Sequence, residues 1–377
     1  MQELPKSVLY EFAIAGDFEA AKKIENGHIN KTWISHWKQG GKPASYVHQL
    51  INHHVFPRVE QLMENIVLVT SHIRSRIPSC GPDAEDCTLN IIPARSGKNF
   101  LKDEAGNYWR TYNFIEGTDN YGVCPAPERA YEASRACARF QKYMLDLPPE
   151  KLIPSIPHFQ DIPRRMQALR SAVEKNPAGR LQTCCEQVDF AFSHSETAGR
   201  LSRAIEEGRV PLRSIHGDLK INNVLFSRTT QRGICLLDLD TCMPGTIIYD
   251  FGDFVRSTGA PCREDEQDFS KVYLDEGIFD AIVRGYLEVL GPSLTAGELE
   301  LLAFGPCLLA LSLGVRFLTD YLDGDNYFAV RHPEQNLQRC RTQFRIMQSM
   351  LEKAAFMEET VRRYSTQAAA VHVCSRN

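Results

Sequence analysis

The rhythm of apolar and polar positions changes along this chain, and the change sets the first expectations. "KTWISHWKQGGKPASYVHQLI" (31–51) reads as two strands joined by the turn "QGGKP", with Gly40, Gly41 and Pro43 as the breakers. "RVEQLMENIVLVTSHIRSRI" (58–77) instead places Val59, Leu62, Met63, Ile66 and Ile73 at helical spacing. Three further strand candidates come next, "CTLNIIP", "KNFLKD" and "YWRTYNFI", the last two separated by "EAGN". The first 115 residues therefore predict a small sheet with a single helix laid across it.

Past residue 116 the texture becomes helical. "PERAYEASRACARFQKYMLDL" (127–147) and "PRRMQALRSAVEK" (163–175) carry proline near their starts. "SLTAGELELLAFGPCLLALSLGVRFLTDYLDG" (293–324) opens with Thr295 and Glu298 at capping-box spacing and then turns strongly apolar. Two short apolar runs, "LRSIHG" and "GICLLDLD", lie between these helices. The pattern predicts an α+β chain in two lobes, residues 1–115 β-rich and residues 116–377 mainly helical, with the last dozen residues frayed. A length of 377 residues also exceeds the usual size of a single core.

Composition narrows the field. With 43% hydrophobic and 24% charged residues and a net charge of −4, the chain has no electrostatic footprint for nucleic acid. The longest weakly polar run, "FGPCLLALSLGV" (304–315), is too short to span a bilayer. The start lacks a basic segment followed by an apolar run, so the expectation is a cytoplasmic protein without a membrane anchor. The twelve cysteines show no C-x-x-C spacing and read as reduced, buried thiols.

The chemistry concentrates in "IHGDLKINNVLF" (215–226). Asp218 is followed by a lysine two residues on and an asparagine five residues on, and Asp238 ends the next apolar run fifteen residues later. P-loop, Rossmann, G-x-S-x-G and H-E-x-x-H signatures are all absent. Phosphoryl transfer from ATP needs such a set: a carboxylate beside the acceptor hydroxyl, a carboxamide and a carboxylate for Mg²⁺, and a cation for the moving charge. Hard oxygen donors suit Mg²⁺. On this reading Asp218 is the base, Asn223 and Asp238 are the metal ligands, and Lys220 meets the γ-phosphate. Asp and Asn are also common turn residues, so the bland alternative is a plain loop between strands. The letters Asp-Phe-Gly in "YDFGD" (249–253) are a decoy. Asp250 lies 32 residues beyond Asp218 with no strand running into it. A buried carboxylate accepting backbone hydrogen bonds fits it better, with His216 a further supporting residue. Asp240 either joins the metal shell or caps the segment after it.

"HGDLKINNVLF" and "LLDLDTCMPGTIIYDFGD" resemble the aminoglycoside phosphotransferase and choline kinase superfamily, which shares the bilobal protein-kinase-like fold. "NGHINKTW", "HQLINHHVFP", "WRTYNFIEGT" and "RFLTDYLDGDNYF" bring it closest to the bacterial N-acetylhexosamine 1-kinases. That resemblance implies MgATP-dependent phosphorylation of the anomeric hydroxyl of N-acetylglucosamine or N-acetylgalactosamine. A monomer or weak homo-oligomer is expected, with the oligomeric state left open by the sequence. It implies sugar contacts from His28, Arg316 and Tyr327 beside Asp218. Their plain structural alternatives are a turn residue for His28, a helix-surface pair with Asp320 for Arg316, and a core residue for Tyr327. Two positions depart from common patterns. Gly217 stands where the hexosamine kinases have Asn, and Gln49 stands where most kinases place a phosphate-binding Lys, a feature the resemblance shares. The adenine-binding hinge falls on "NFIEG", with Phe114, Ile115 and Glu116. The rivals are the same chemistry on another sugar, an aminoglycoside or a choline-like alcohol, with "REDEQD" (263–268) as the acidic feature that keeps them open. An inactive nucleotide or sugar sensor is the remaining alternative.

Overall fold

The computed structural model describes residues 4–24, 29–77 and 87–374, the last four as backbone only. Its N-terminal part is built on a six-stranded antiparallel sheet with the path β1-β2-β3-β6-β4, and β5 also on β6. The strands are β1 (Asp17–Ile24), β2 (Lys31–Gln39), β3 (Lys42–Ile51), β4 (Ile91–Ile92), β5 (Leu101–Lys102) and β6 (Tyr108–Asn113). β2 and β3 form a tight hairpin in which Gln39 faces Lys42. Gly40 and Gly41, at φ 54° and 84°, supply the two left-handed positions such a turn demands. Pro43, expected in the turn, lies inside β3 opposite Lys38 and beyond the reach of β6, which begins pairing at Tyr46.

The sheet is covered on both faces. Trp33 and Trp37 of β2 and Trp109 of β6 pack with Val8, Leu9, Phe12, Ile14 and Ala94 in a separate small core. This corrects the single-helix expectation, because the short α1 (Lys6–Leu9) and the segment after it close the outer face. Against the inner face lies α2 (Val59–Arg76), burying Val59, Leu62, Met63, Ile66, Val69 and Ile73. Asn65 also points inward. Its Nδ2 donates to Ile153 O at 2.6 Å and Cys242 O at 3.2 Å, and its Oδ1 accepts Ile153 N at 3.1 Å.

After the sheet the chain is mostly helical: α3 (Pro127–Met144), α4 (Ile162–Lys175), α5 (Cys185–Ser193), α6 (Ser195–Glu206), α7 (Ile247–Thr258), α8 (Glu276–Leu290), α9 (Ala296–Leu302), α10 (Gly305–Asp323), α11 (Gln335–Glu352) and α12 (Ala354–Cys374). The stretch expected as one helix over 293–324 is two, α9 and α10, bent by 61°. Pro306 has no N–H to donate and is tolerated only in the first turn of α10, so α9 must end before it. The Thr295–Glu298 capping box is formed. The C-terminal helix runs on to Cys374 rather than fraying a dozen residues from the end. No single described helix is long and apolar enough to cross a membrane; the bent α9–α10 pair passes that test only by length and composition, and α10 is largely buried. The described cysteines form no disulfide, and Cys185, expected to be buried, is exposed.

Candidate active site

Two small sheets carry the polar loop. β8 (Arg213–Ile215) pairs with β11 (Met243–Gly245), and β9 (Val224–Ser227) pairs with β10 (Gly233–Leu236) and with β7 (Thr118–Asp119), the strand just past the hinge. The apolar ends of "IHGDLKINNVLF" are thus anchored in strands, and the polar residues occupy the turn between them. Gly217 adopts φ 83°, and a Cβ there would stand 2.5 Å from Thr241 O. Backbone contact therefore requires glycine at this position, whatever the related kinases carry.

The loop is stitched to the segment bearing Asp238. His216 Nε2 donates to Leu237 O at 2.9 Å, Leu237 N donates to Asn223 O at 2.8 Å, and Thr241 Oγ1 donates to His216 O at 2.9 Å. Asp238 comes next, in the left-handed region at φ 61°. Asn223 and Asp238 are thereby brought alongside each other. Asn223 Nδ2 donates to Asp218 O at 2.9 Å, which leaves its Oδ1 without a donor among the described residues. Asp238 has no hydrogen-bond donor among them either, and it is solvent-exposed. The protein wall behind it and the charges of Asp240 and Asp218 raise its carboxyl, against Lys220 and Arg110, and its open side limits that rise; a nearby cation would reverse it. Two unsatisfied hard oxygens on adjacent strand ends fit a Mg²⁺ ion that keeps its remaining positions for phosphate and water.

Lys220 Nζ donates to Asp218 Oδ2 at 2.7 Å. Burial would raise the Asp218 carboxyl, but the Lys220 ammonium outweighs it and holds the group below the usual carboxylate range. Burial in turn works against Lys220, and the charges of Asp218 and Asp238 override it and raise the ammonium. Asp218 is therefore ionised near neutrality and ready to accept a proton.

Asp250 sits in the first turn of α7, fully buried. Its Oδ2 accepts His216 N at 2.9 Å and Gln141 Nε2 at 2.8 Å, and its Oδ1 accepts Gly217 N at 2.7 Å. Burial pushes its carboxyl up, to about 7, against these hydrogen bonds. Asp240 is equally buried and sits on the other side of the loop. It pairs with both terminal nitrogens of Arg110 on β6 and accepts Asn30 Nδ2 at 2.7 Å. Gln49 meets Arg110 Nε through its Oε1 at 2.9 Å and donates to Thr32 at 3.2 Å. At the hinge, Thr118 Oγ1 occupies Ile115 O and Phe114 N donates to Ser45 O, while Glu116 is exposed.

On the opposite flank, Arg316 of α10 lies over the rings of Phe159 at 5.6 Å, Tyr327 at 5.4 Å and Phe328 at 5.0 Å. The helix-surface pair with Asp320 is not formed. Asp320 instead accepts the backbone N–H groups of Asn326, Tyr327 and Phe328, which fixes the loop that presents the two rings. Tyr327 is exposed rather than core. Arg165 of α4 stands beside Arg316. Burial and the Arg316 charge push it down, to about 10, while the Tyr249 phenol opposes that. Neither guanidinium has a carboxylate partner among the described residues. Tyr249 and Asp250 are neighbours on α7, so one helical turn supports both the polar loop and the arginine flank. His28 lies outside the described residues.

Sequence reasoning singled out the loop but not Asn30, Arg110, Arg165, Asp253 or Arg256. Arg256 pairs with Asp253 at 2.7 Å, and both lie within electrostatic reach of Asp218. The signal for Asp253 was the end of "YDFGD", one helical turn from Tyr249.

His216, and His48 in the sheet, are both fully buried, and burial pulls each imidazole down to about 4. His48 lies between Ser35 Oγ at 2.7 Å and Thr111 Oγ1 at 2.9 Å. Unfolded, it takes up a proton near 6.5. Between 6.5 and 4 the unfolded chain therefore binds more protons, and lowering the pH removes on the order of 3 kcal/mol of stability through this group. Asp250 acts with the opposite sign, so the effect is read by difference. The melting-temperature gap between the parent and His48→Gln should narrow from pH 7.5 to pH 4.5. A constant gap would show that His48 is not held neutral.

A small antiparallel sheet facing a helical lobe, with this loop at the seam, defines a kinase-type phosphotransferase of the protein-kinase-like fold. The chain belongs to the phosphotransferase enzyme family, whose model matches residues 21–281. An aminoglycoside phosphotransferase from Alicyclobacillus acidocaldarius superposes with a TM-score of 0.62 at 12% identity, covering 97% of this chain and 98% of that one. A choline kinase from Cryptosporidium parvum Iowa II gives 0.55 at 15% identity over 91% of each. A spectinomycin phosphotransferase solved with ADP and spectinomycin gives 0.56 at 14% identity, over 92% and 94%.

Proposed function

We propose that this kinase transfers the γ-phosphoryl group of MgATP to the anomeric hydroxyl of an N-acetylhexosamine, giving the sugar 1-phosphate and ADP. The observation that carries the acceptor class is the Arg316 flank. Two guanidiniums without a carboxylate partner among the described residues, framed by Phe159, Tyr327 and Phe328, repel an ammonium ligand. They suit a neutral, oxygen-rich one: Arg316 donates to hydroxyls or an acetamido carbonyl, and the rings cover apolar faces. Aminoglycosides and choline are cationic, so the acceptors named for the neighbours fit this flank poorly.

Asp218 orients the acceptor hydroxyl and takes its proton. The anomeric hydroxyl is more acidic than an ordinary alcohol, so the transfer comes late in a loose transition state. Lys220, paired with Asp218 before substrates bind, turns to the γ-phosphate as negative charge gathers there. Asn223 and Asp238 would hold Mg²⁺, which would neutralise charge on the phosphates. Closure of the lobes excludes water that would otherwise hydrolyse ATP.

ADP release with N-acetylglucosamine, N-acetylgalactosamine, glucose, galactose, choline, ethanolamine and kanamycin tests the acceptor directly. Turnover with the N-acetyl sugars is expected, with NMR placing the phosphate on C1. Arg316→Ala should raise the KM for the sugar by about 10-fold or more, the loss of a charge-assisted hydrogen bond, and leave the KM for ATP unchanged. Turnover with choline or kanamycin alone would overturn the acceptor. It would direct attention to Glu264, which lies 3.9 Å from Arg256 at the edge of the acidic 263–268 loop.

A further inference from the structure

We infer that Arg110 takes over, from a neighbouring strand and across the lobe boundary, the positioning work that a strand-β3 lysine performs in other kinases. In those enzymes the lysine pairs with a glutamate of the helix behind the sheet, and both partners belong to the same lobe. Here the β3 position is Gln49, and the residue directly opposite it on β6 is Arg110. Arg110 Nε donates to Gln49 Oε1 at 2.9 Å, so the amide marks the place of the missing cation and holds its replacement. On α2, Glu64 is exposed and the inward residue is Asn65, so the usual carboxylate partner is gone as well.

Arg110 is paired instead with Asp240. Both terminal nitrogens reach both carboxylate oxygens, the second at 2.9 Å, and the two side chains are 1% and 2% exposed. The Tyr112 ring lies 5.3 Å from the guanidinium carbon. Asn30, in the β1–β2 connection, adds its Nδ2 to Asp240 Oδ2 and accepts Asn52 N at 2.9 Å. Asp240 stands two residues past Asp238, on the segment stitched to the polar loop. With its oxygens taken by Arg110 and Asn30, Asp240 is a fastening point for the metal-binding segment and not a further ligand. The N-terminal sheet thus holds the strand end that presents Asp238. Arg110 is a positioning residue: it acts through Asp240 on the site for the metal–nucleotide complex.

The inference rests on the MgATP half of the proposed function and is independent of the acceptor. The test is calorimetric binding of ADP with and without Mg²⁺ to the parent, Arg110→Gln, Asp240→Asn, the double variant and Arg110→Lys, alongside melting temperatures. Each single neutralisation leaves a buried charge alone and should lower the melting temperature, whereas the double variant should regain most of it. The positioning role predicts that the double variant still binds MgADP about 10-fold or more weakly, the usual cost of losing an outer partner of a metal ligand, while metal-free ADP binds as before. Gln49→Lys added to Arg110→Gln returns the cation to β3 and should restore part of the MgADP affinity. Parental MgADP affinity in the double variant would reduce the pair to a structural one and overturn the inference. If the double variant does not fold, Arg110→Lys decides. It keeps the charge but loses the fork, and parental MgADP affinity there overturns the inference equally. A parent that binds no MgADP would sink the nucleotide reading itself, an outcome distinct from a loss confined to the variants.

Discussion

Asp218→Asn lowers turnover by about 10²–10⁴-fold, the range for loss of a positioned general base, and leaves the affinity for MgADP close to the parent's. The direction comes from the loop's geometry. Asp218 is the partner of Lys220 and not of the sheet, so its charge can be removed without disturbing the hinge or the Asp240 fastening. The asparagine still fills the space and offers an oxygen to Lys220, so folding is expected to survive. Single-turnover kinetics separates the outcomes: slow chemistry with normal nucleotide binding supports the base. Parental turnover would remove Asp218 from the reaction and leave the anomeric-hydroxyl mechanism without a proton acceptor.

Asp250→Ala strikes the fold and the chemistry together. His216 N, Gly217 N and Gln141 Nε2 all lose their acceptor in a region closed to water. Each stranded donor costs about 1–3 kcal/mol, so the sum is a large part of a typical total stability. A melting temperature lower by about 10 °C or more is expected. Turnover should also fall at temperatures where the variant remains folded, because the turn carrying Asp218 loses its brace. Asn is a poor remedy, since its NH₂ group would face a donor. Added Mg²⁺ should not rescue either variant, which separates this role from metal binding. A variant that melts with the parent, or recovers with excess Mg²⁺, would refute it.

The contrast between Asp250 and Arg110 shows what the chain discloses by itself. The polar loop is legible because two apolar strands confine it and the spacing of Asp218, Asn223 and Asp238 is short enough to survive as a local pattern. Gly40 and Gly41 disclose the hairpin for the same reason, since the turn's backbone demand is local. The lack of an apolar strand running into Asp250 marks it as a brace and not a metal ligand, but the helix that carries it, α7, has no such local mark. Arg110 offers no such clue. In "YWRTYNF" it is one cation in a strand, and its partner lies 130 residues away. Only strand pairing brings Gln49 opposite it. Arg165 and Arg316 are likewise joined by helix packing and not by sequence spacing. The N-terminal cover is hard to read because Val8, Leu9 and Phe12 keep helical spacing for little more than one turn before Ile14 breaks it; they are apolar where the tryptophans of the sheet need a lid. Pro306 is visible in the sequence inside an apolar run that by itself would continue one helix, and the chain breaks just before it.

Asn65 has one more implication. Many signalling kinases are switched by swinging the helix behind the sheet outward, and a phosphorylated loop pulls it back. In this protein that helix is bound on its inner side by a two-way amide exchange with Ile153 and by Cys242 O, so an outward swing would strand buried polar groups on both lobes. A helix tied in this way resists that swing and stays docked on the helical lobe.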